Sequence, residues 1–487
     1  MTAKIDVRRK GVALVFVAIV LLCLIGIIAL IVDVGYLYNI KEDLQAAADA
    51  AALAGAGGLS IDQATARNRA IEIAQKNYAN GLPVELQNSD VQLGLWNSVT
   101  GFTPLNDPTA RANAVKVYAN LTGVKTIFAG VLGFKSVPVV GASAIAVFGA
   151  RDIVLSLDYS RSMSFDSQQR RISMLGKSAV EQSLLNIWQD LGSHTYGNKQ
   201  FPSKDYFTTS TNYNTILNTL GLNNVPYPYQ SGSWSEYFQV VQASRSANPS
   251  NPQFGWQTEW INTDAATWNS QYRYHYNYLT LMYYLQDVQY QANETPDLWK
   301  TREQPITAVK DAVTLFLAYM DELRTNDRLG LVSYTYTNGG GHLEQQLTDN
   351  YTLIESGSRH MQAGHYMSAT NIAGGIATAL TELRTHGRTG ALRVIVLLSD
   401  GYTNYPNAGT AESEALAQAQ QAANNNIPIL TISLGADADT ELMQSIAEIS
   451  KGAYFVIPGG HSVEEYKQQL DNIFAQIASR RPLRLVN

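Results

Sequence analysis

Cysteine is all but absent from this chain. The one thiol in 487 residues, Cys23, lies inside an apolar run, and there are only 7 histidines. That excludes a disulfide framework and a Cys/His zinc cluster, and a chain with no other thiol suits an oxidising compartment. Positive charge is scarce as well: 35 Lys and Arg against 41 Asp and Glu leave a net charge of −6 and a pI near 5.7. Phosphate backbones are held by a basic face, so nucleic acid is excluded as the main partner. Catalytic signatures are missing too. There is no H-E-x-x-H and no G-x-S-x-G, and "LGKS" at 175–178 has Arg171 where a phosphate loop needs glycine.

What the chain does have is a long uncharged run, Val12 to Val32, near its N-terminus. As a helix it measures about 31 Å, the thickness of a bilayer core. Lys4, Arg8, Arg9 and Lys10 precede it, and Asp33, Glu42 and Asp43 follow. The positive-inside rule then places Met1 in the cytoplasm and everything after Val32 outside. A cleaved secretory signal is the competing reading, but the run exceeds the apolar core of such signals, so retained insertion is expected. The helix should continue through Ala-rich sequence to Gly57-Gly58. A second helix is expected from an N-cap at Ser60 to a stop at Gly81. Three alternating runs, "VQLGLWNSVTGFTPL", "ANAVKVYANLT" and "SVPVVGASAIAVFG", complete a small α+β domain over residues 59–150.

This N-terminal segment resembles the TadG-like proteins of the tight-adherence (Tad, or Flp) pilus machinery. The resemblance rests on Arg8-Arg9, Gly11, Asp33-Val34-Gly35 and the "LQAAADAAALA" stretch from Leu44 to Ala54. It implies a bacterial inner-membrane or pilus-associated protein whose helix, within residues 1–58, meets pilus or Tad subunits. Pilin-type precursors are cut after a Gly and carry Glu at the fifth mature position. Counting from Val12 that position is Phe16, so a cut at Gly11 is not expected.

From Asp152 onward apolar strands alternate with helical stripes. "DIVLSLD", "RLGLVSYT", "LRVIVLLSD", "IPILTISLG" and "GAYFVI" read as strands, and "HLEQQL" as a further one. "ITAVKDAVTLFLAYMDEL", "NIAGGIATALTELRT", "GTAESEALAQAQQAANNN", "DTELMQSIAEIS" and "SVEEYKQQLDNIFAQIASR" read as helices. The expected fold class is therefore α/β: a doubly wound, mostly parallel sheet with helices on both faces, spanning 151–480. Its ligand site belongs at the carboxyl ends of the strands, at the topological switch point.

Three polar clusters fall at such ends. Asp158, Ser160 and Ser162 follow the first strand, Thr370 precedes a helix, and Asp400-Gly401 closes another strand. Any one of these could be ordinary helix capping. Together, "DYSRS", "ATNIAGG" and "LLSDG" resemble the metal-ion-dependent adhesion site (MIDAS) of von Willebrand factor A domains. The resemblance implies that Asp158, Ser160, Ser162, Thr370 and Asp400 hold Mg²⁺, or Mn²⁺ or Ca²⁺, and that a partner's carboxylate completes the shell. Small hydroxyls suit the tight oxygen shell of Mg²⁺. His360 and His365 lie near the Thr370 loop but read as ordinary loop histidines.

The pattern calls for a helix soon after Ser162, yet the best one starts only at Ile306. Residues 166–304 are an insertion rich in Tyr, Trp, Asn, Gln and Ser. Its aromatics argue for a folded subdomain rather than disorder. Because it leaves the chain at the metal loop, it is expected beside or over the metal face. The functional expectation is a membrane-anchored or pilus-associated binding protein, its head engaging a protein or cell-surface ligand. A structural assembly factor is the alternative. A metal-dependent hydrolase lacks a base or nucleophile paired with the site.

Overall fold

The computed structural model describes residues 7–59, 61–97, 100–105, 112–168, 171–197, 210–246, 276–323, 327–335, 341–389, 391–435, 437–458, 463–479 and 483–486. It divides into two compact units. The smaller comprises Met1–Gly149, Leu323–Thr325 and Arg481–Asn487, and the larger the remainder.

The smaller unit is built on one 52-residue helix, α1 (Val7–Gly58). Its two halves meet different surroundings. Every large apolar side chain from Leu14 to Val32 is exposed, by 40 to 73%. Beyond Ile40 the buried positions are Leu44 and small residues: Ala47, Ala48, Ala51, Ala52, Gly55, Ala56 and Gly58. Alanine there lets helix α2 (Gln63–Gln75) approach closely through its own Ala66, Ala70 and Ala74. A Cβ on Gly58 would stand 2.6 Å from the Ala66 Cα.

The expected start of α2 at Ser60 lies outside the described residues; the cap is Asp62, whose side chain accepts from the Thr65 N–H at 2.6 Å. Nor does Gly81 end the helix. Asn80 and Gly81, both at positive φ, form the turn joining β1 (Tyr78–Ala79) to β2 (Leu82–Pro83). Asn-Gly is the preferred pair for such a turn. Strands β3 (Val91–Asn97), β4 (Gly101–Pro104), β5 (Ala114–Lys125) and β6 (Ser136–Phe148) form an antiparallel sheet, with β5 and β6 as a long hairpin. Val91, Leu93, Val115, Val117, Ala144 and Ala146 turn one face of it onto the helices.

The larger unit opens with β7 (Arg151–Asp158), buried along its whole length. The insertion follows, with α-helices and no strands among its described residues: α3 (Ile172–Leu175), α4 (Lys177–Asp190), α5 (Tyr213–Leu220), α6 (Trp234–Ser246) and α7 (Tyr278–Asp287). Gly176, at φ +83, separates α3 from α4. These helices share a core of their own, including Leu184, Trp188, Trp234, Tyr237, Phe238, Tyr276 and Leu281. Part of the aromatic stretch, 247–275, lies outside the described residues.

The chain then runs through α8 (Ile306–Leu323), β8 (Arg328–Tyr334), β9 (His342–Thr348), α9 (Tyr351–Arg359), α10 (Ile372–His386), β10 (Leu392–Ser399), α11 (Ala408–Asn424), β11 (Ile429–Gly435), α12 (Thr440–Ser450), β12 (Tyr454–Pro458) and α13 (Val463–Ser479). The sheet order is β12-β11-β10-β7-β8-β9, parallel except for the edge strand β9. Ile153, Leu155 and Leu157 point to the layer holding Phe316 and Phe474, and Val154 to the layer holding Ile376 and Ala419. A sheet buried on both faces explains the unbroken apolar runs in the sequence.

The last strand, β13 (Leu483–Val486), pairs antiparallel with β6, Leu483 opposite Phe148. The sequence reading ends the small α+β domain at residue 150; the structure adds this C-terminal strand to its sheet. In chain order the larger unit therefore falls between β6 and β13. Within the larger unit Arg151, only 2% exposed, ties entry to exit. Its guanidinium pairs with buried Asp327 at 3.0 Å and donates to the carbonyls of Ile477 (2.8 Å) and Ala478 (3.2 Å), at the end of α13.

Candidate metal centre

The central strand β7 has β8 on one side and β10 on the other, so the chain's direction of winding reverses between β7 and β10. Crevices at such points collect loops from both strands. Leu157 pairs with Leu398, which brings Asp158 beside Ser399 and Asp400.

Asp158 is fully buried. One carboxylate oxygen accepts the Ser160 N–H (2.8 Å) and the other the Ser399 hydroxyl (2.7 Å). Ser160 and Ser162 sit where the chain turns into the 3-10 stretch Arg161–Ser167. Their hydroxyls are 2.8 Å apart, and Ser162 donates to an Asp400 oxygen at 2.7 Å. Thr370 stands just before α10, whose N-cap is Asn371. The Thr370 backbone is held by the next loop: its N–H donates to the Asn404 side chain (2.9 Å), and its carbonyl accepts from the Asn404 N–H (3.0 Å) and the Thr403 hydroxyl (3.2 Å). A Cβ on Gly401 would stand 3.4 Å from the Ser162 hydroxyl oxygen and 4.0 Å from that of Thr370. All five candidate residues therefore converge on the carboxyl ends of β7 and β10.

Electrostatically the centre is under stress. Burial pushes the Asp158 carboxyl up to about 6 despite its hydrogen bonds. Asp400, 6% exposed, is raised well above the ordinary carboxylate range, by burial first and then by the charge of Asp158. Two buried carboxylates that resist ionising together attract a cation. Among the described residues no group of three or more His, Cys, Asp or Glu could hold a metal. A cation here would depend on two carboxylates and three hydroxyls, a hard-oxygen donor set of the kind Mg²⁺ takes.

The von Willebrand factor type A domain family matches residues 299–469. The Flp pilus-assembly TadE/G-like family matches residues 11–58, and the Tad-like Flp pilus-assembly family residues 42–146. The chain is a TadG-like protein with a C-terminal von Willebrand factor type A (vWA) domain. The vWA match begins at residue 299, in the last residues of the insertion; β7 and the Asp158 loop join the domain through strand pairing, not through contiguous sequence.

No curated protein matches the chain. Among solved structures, the conserved hypothetical protein BatB from Bacteroides thetaiotaomicron is similar at 19% identity, covering 35% of this chain and 89% of that one, with a TM-score of 0.27. A von Willebrand factor type A protein from Catenulispora acidiphila is similar at 16% identity over 36% and 38% of the two chains, with a TM-score of 0.28. Proximal thread matrix protein 1 from the mussel byssus is similar at 12% identity over 70% and 98%, with a TM-score of 0.29.

In the vWA domain the insertion is fastened to the Asp158 loop. Arg161, between the two serines, donates to the Asp287 carbonyl at the end of α7 (2.9 Å) and lies 3.5 Å from the Asp287 carboxylate. Its guanidinium also stacks over Phe165 and Tyr290. Gln362 donates to the Tyr290 and Thr295 carbonyls, and the Ala292 N–H to the His365 carbonyl. The insertion's last segment thus packs on two loops of the vWA domain, one of which carries the serines. His360 packs against Trp299 and His365 against Tyr366; neither joins the hydrogen-bond chain of the centre. Sequence reasoning missed Ser399, Thr403, Asn404 and the anchoring role of Arg161. Ser399 could have been found by pairing the two strands; nothing in the sequence marks Asn404.

Proposed function

We propose that this TadG-like protein is a membrane-anchored, protein-binding component of a Tad-type pilus system, and not an enzyme. In this reading the head engages a protein or cell-surface ligand through a divalent cation, Mg²⁺ or else Mn²⁺ or Ca²⁺. Asp158, Ser160, Ser162, Thr370 and Asp400 hold the ion, which supplies an electrophilic position for a partner's carboxylate. The chain's own residues prepare that position. Ser399 and the Ser160 N–H orient Asp158, Ser162 orients Asp400, and Asn404 fixes Thr370. The helix α1 anchors the protein in the bacterial inner membrane, N-terminus inward, and meets pilus or Tad subunits. Residues 151–480 form the head, and 166–304 its insertion.

The observation that carries the reading is the convergence of two buried, mutually repelling carboxylates with three hydroxyls at the switch point. Calorimetry with Mg²⁺ on the detergent-solubilised protein should show one site, absent in Asp158→Ala. Ligand capture with the protein should then be lost on adding chelator; capture unchanged by chelator would reject the metal as the binding element. A second reading, a structural assembly factor, draws on the match of residues 42–146 to a Tad-like Flp pilus-assembly family. Under it Asp158→Ala would impair pilus assembly itself and not only attachment.

A further inference from the structure

The first charge after the apolar run of α1 does not face water. Asp33 is 2% exposed. The loop after β5 folds over it, and the N–H groups of Ile127 (2.6 Å), Phe128 (3.1 Å) and Ala129 donate to its carboxylate. Asp33 so caps the 3-10 turn Ala129–Leu132 from another element. Across the base of the loop the Thr126 hydroxyl donates to the Phe134 carbonyl (2.5 Å) and the Thr126 N–H to that of Lys135 (3.3 Å). The loop is therefore pinned at the level where the apolar run ends.

Its described side chains are the wrong kind for water. Ile127 is 54% exposed, Phe128 47% and Phe134 70%, and Val139 on β6 is 54% exposed. Val34 and Tyr38 carry the same character up α1, at 57% and 60%. Residues 121–140 contain no acid, and their two cations, Lys125 and Lys135, are exposed at the two ends of the loop. Apolar side chains flanked by lysines match the interface of a bilayer with anionic headgroups. The surface is also continuous with the exposed apolar stripe of α1 that ends at Val32.

We propose that the loop 126–135 is a second membrane contact, seated in the outer headgroup region of the bilayer that α1 crosses, with Asp33 as the residue that positions it. This rests on reading α1 as a membrane span. Three backbone donors explain how a carboxylate can lie at that depth, since a charge there needs satisfied partners. A helix alone can tilt and rotate in a bilayer; a second contact to one side of it fixes both motions, and with them the aspect of the domain above.

The test uses the full-length protein in phosphatidylcholine–phosphatidylglycerol vesicles. In a Cys23→Ser background, an environment-sensitive fluorophore is attached at Phe134→Cys, Ile127→Cys or Leu95→Cys. Leu95 is 45% exposed on β3, beyond the opposite end of β5 from the loop. Quenching by headgroup-level nitroxide lipids should be about five-fold stronger at 134 and 127 than at 95, with iodide quenching reversed. The native Cys23 should meanwhile resist a water-soluble maleimide. Iodide access at 134 and 127 equal to that at 95, with Cys23 still protected, overturns the loop contact and leaves the anchor standing. Shielding from both quenchers overturns it in favour of a covering protein. Reaction of Cys23 from water removes the anchor, and the proposal with it.

Discussion

Asp158→Asn should make the metal-free protein more stable. Burial outweighs the hydrogen bonds of the folded-state carboxyl and pushes it up to about 6 from an ordinary 3.8. A carboxyl raised in this way adds no penalty below pH 3.8. The penalty grows as pH rises through the window to 6, and above that it is constant at about 3 kcal/mol. An asparagine keeps the shape and can keep the partners. Its oxygen accepts from the Ser160 N–H, and its amide donates to the Ser399 oxygen, whose own hydroxyl proton can turn to the Gly401 carbonyl 3.3 Å away. At pH 7.5 in chelator the variant should therefore melt about 5 °C higher than the parent. The gain should shrink towards zero as pH falls to 4. With Mg²⁺ at a hundred times its Kd the parent should gain about 2.7 kcal/mol and the variant nothing, so metal closes the gap that chelator opens. Differential scanning fluorimetry over a grid of pH and Mg²⁺ reads both effects. A variant that is less stable than the parent in chelator at pH 7.5, or that keeps the Mg²⁺ response, would refute the electrostatic account of the centre.

Other expectations concern the residues around this pair. Metal affinity should fall as pH drops from 7.5 to 5, because protons compete for two carboxyls whose affinity for them is raised; calorimetry at fixed ionic strength checks it, and a flat profile would contradict it. Asn404→Ala should weaken Mg²⁺ binding by about ten-fold through loss of the Thr370 support, with the melting curve in chelator little changed. Arg151→Ala should destabilise the vWA domain by about 3–5 kcal/mol in denaturant titration, since it takes the pairing guanidinium from buried Asp327 and frees the end of α13. Arg161→Ala should speed proteolysis within the insertion while the rest of the vWA sheet stays resistant, because it cuts the link from the Asp158 loop to α7.

Periodicity and composition alone determined the elements whose signal is local. An uncharged run long enough to cross a bilayer, continuous apolar strands between helical stripes, and an aromatic segment too hydrophobic for a disordered tail can each be read residue by residue. So can the candidate residues: Asp158, Ser160, Ser162, Thr370 and Asp400 are nameable by kind and order. The errors arose where a local signal had two structural uses. Asn80-Gly81 stops a helix as readily as it turns a hairpin, and the pairing of Tyr78 with Pro83 chose the hairpin.

Only the tertiary structure decided what depends on meeting across long separations. β13 is four residues with no pattern of its own, and it exists because β6 offers it a free edge. Ser399 matters because β7 and β10 pair in one register, with Asp158 beyond Leu157 and Ser399 beyond Leu398. Asp33 looks like the first solvated charge after a membrane helix, yet a loop ninety-four residues further on folds over it. Backbone donors and strand edges carry no residue signature, so the contacts they make are written in the fold and not in the string of letters.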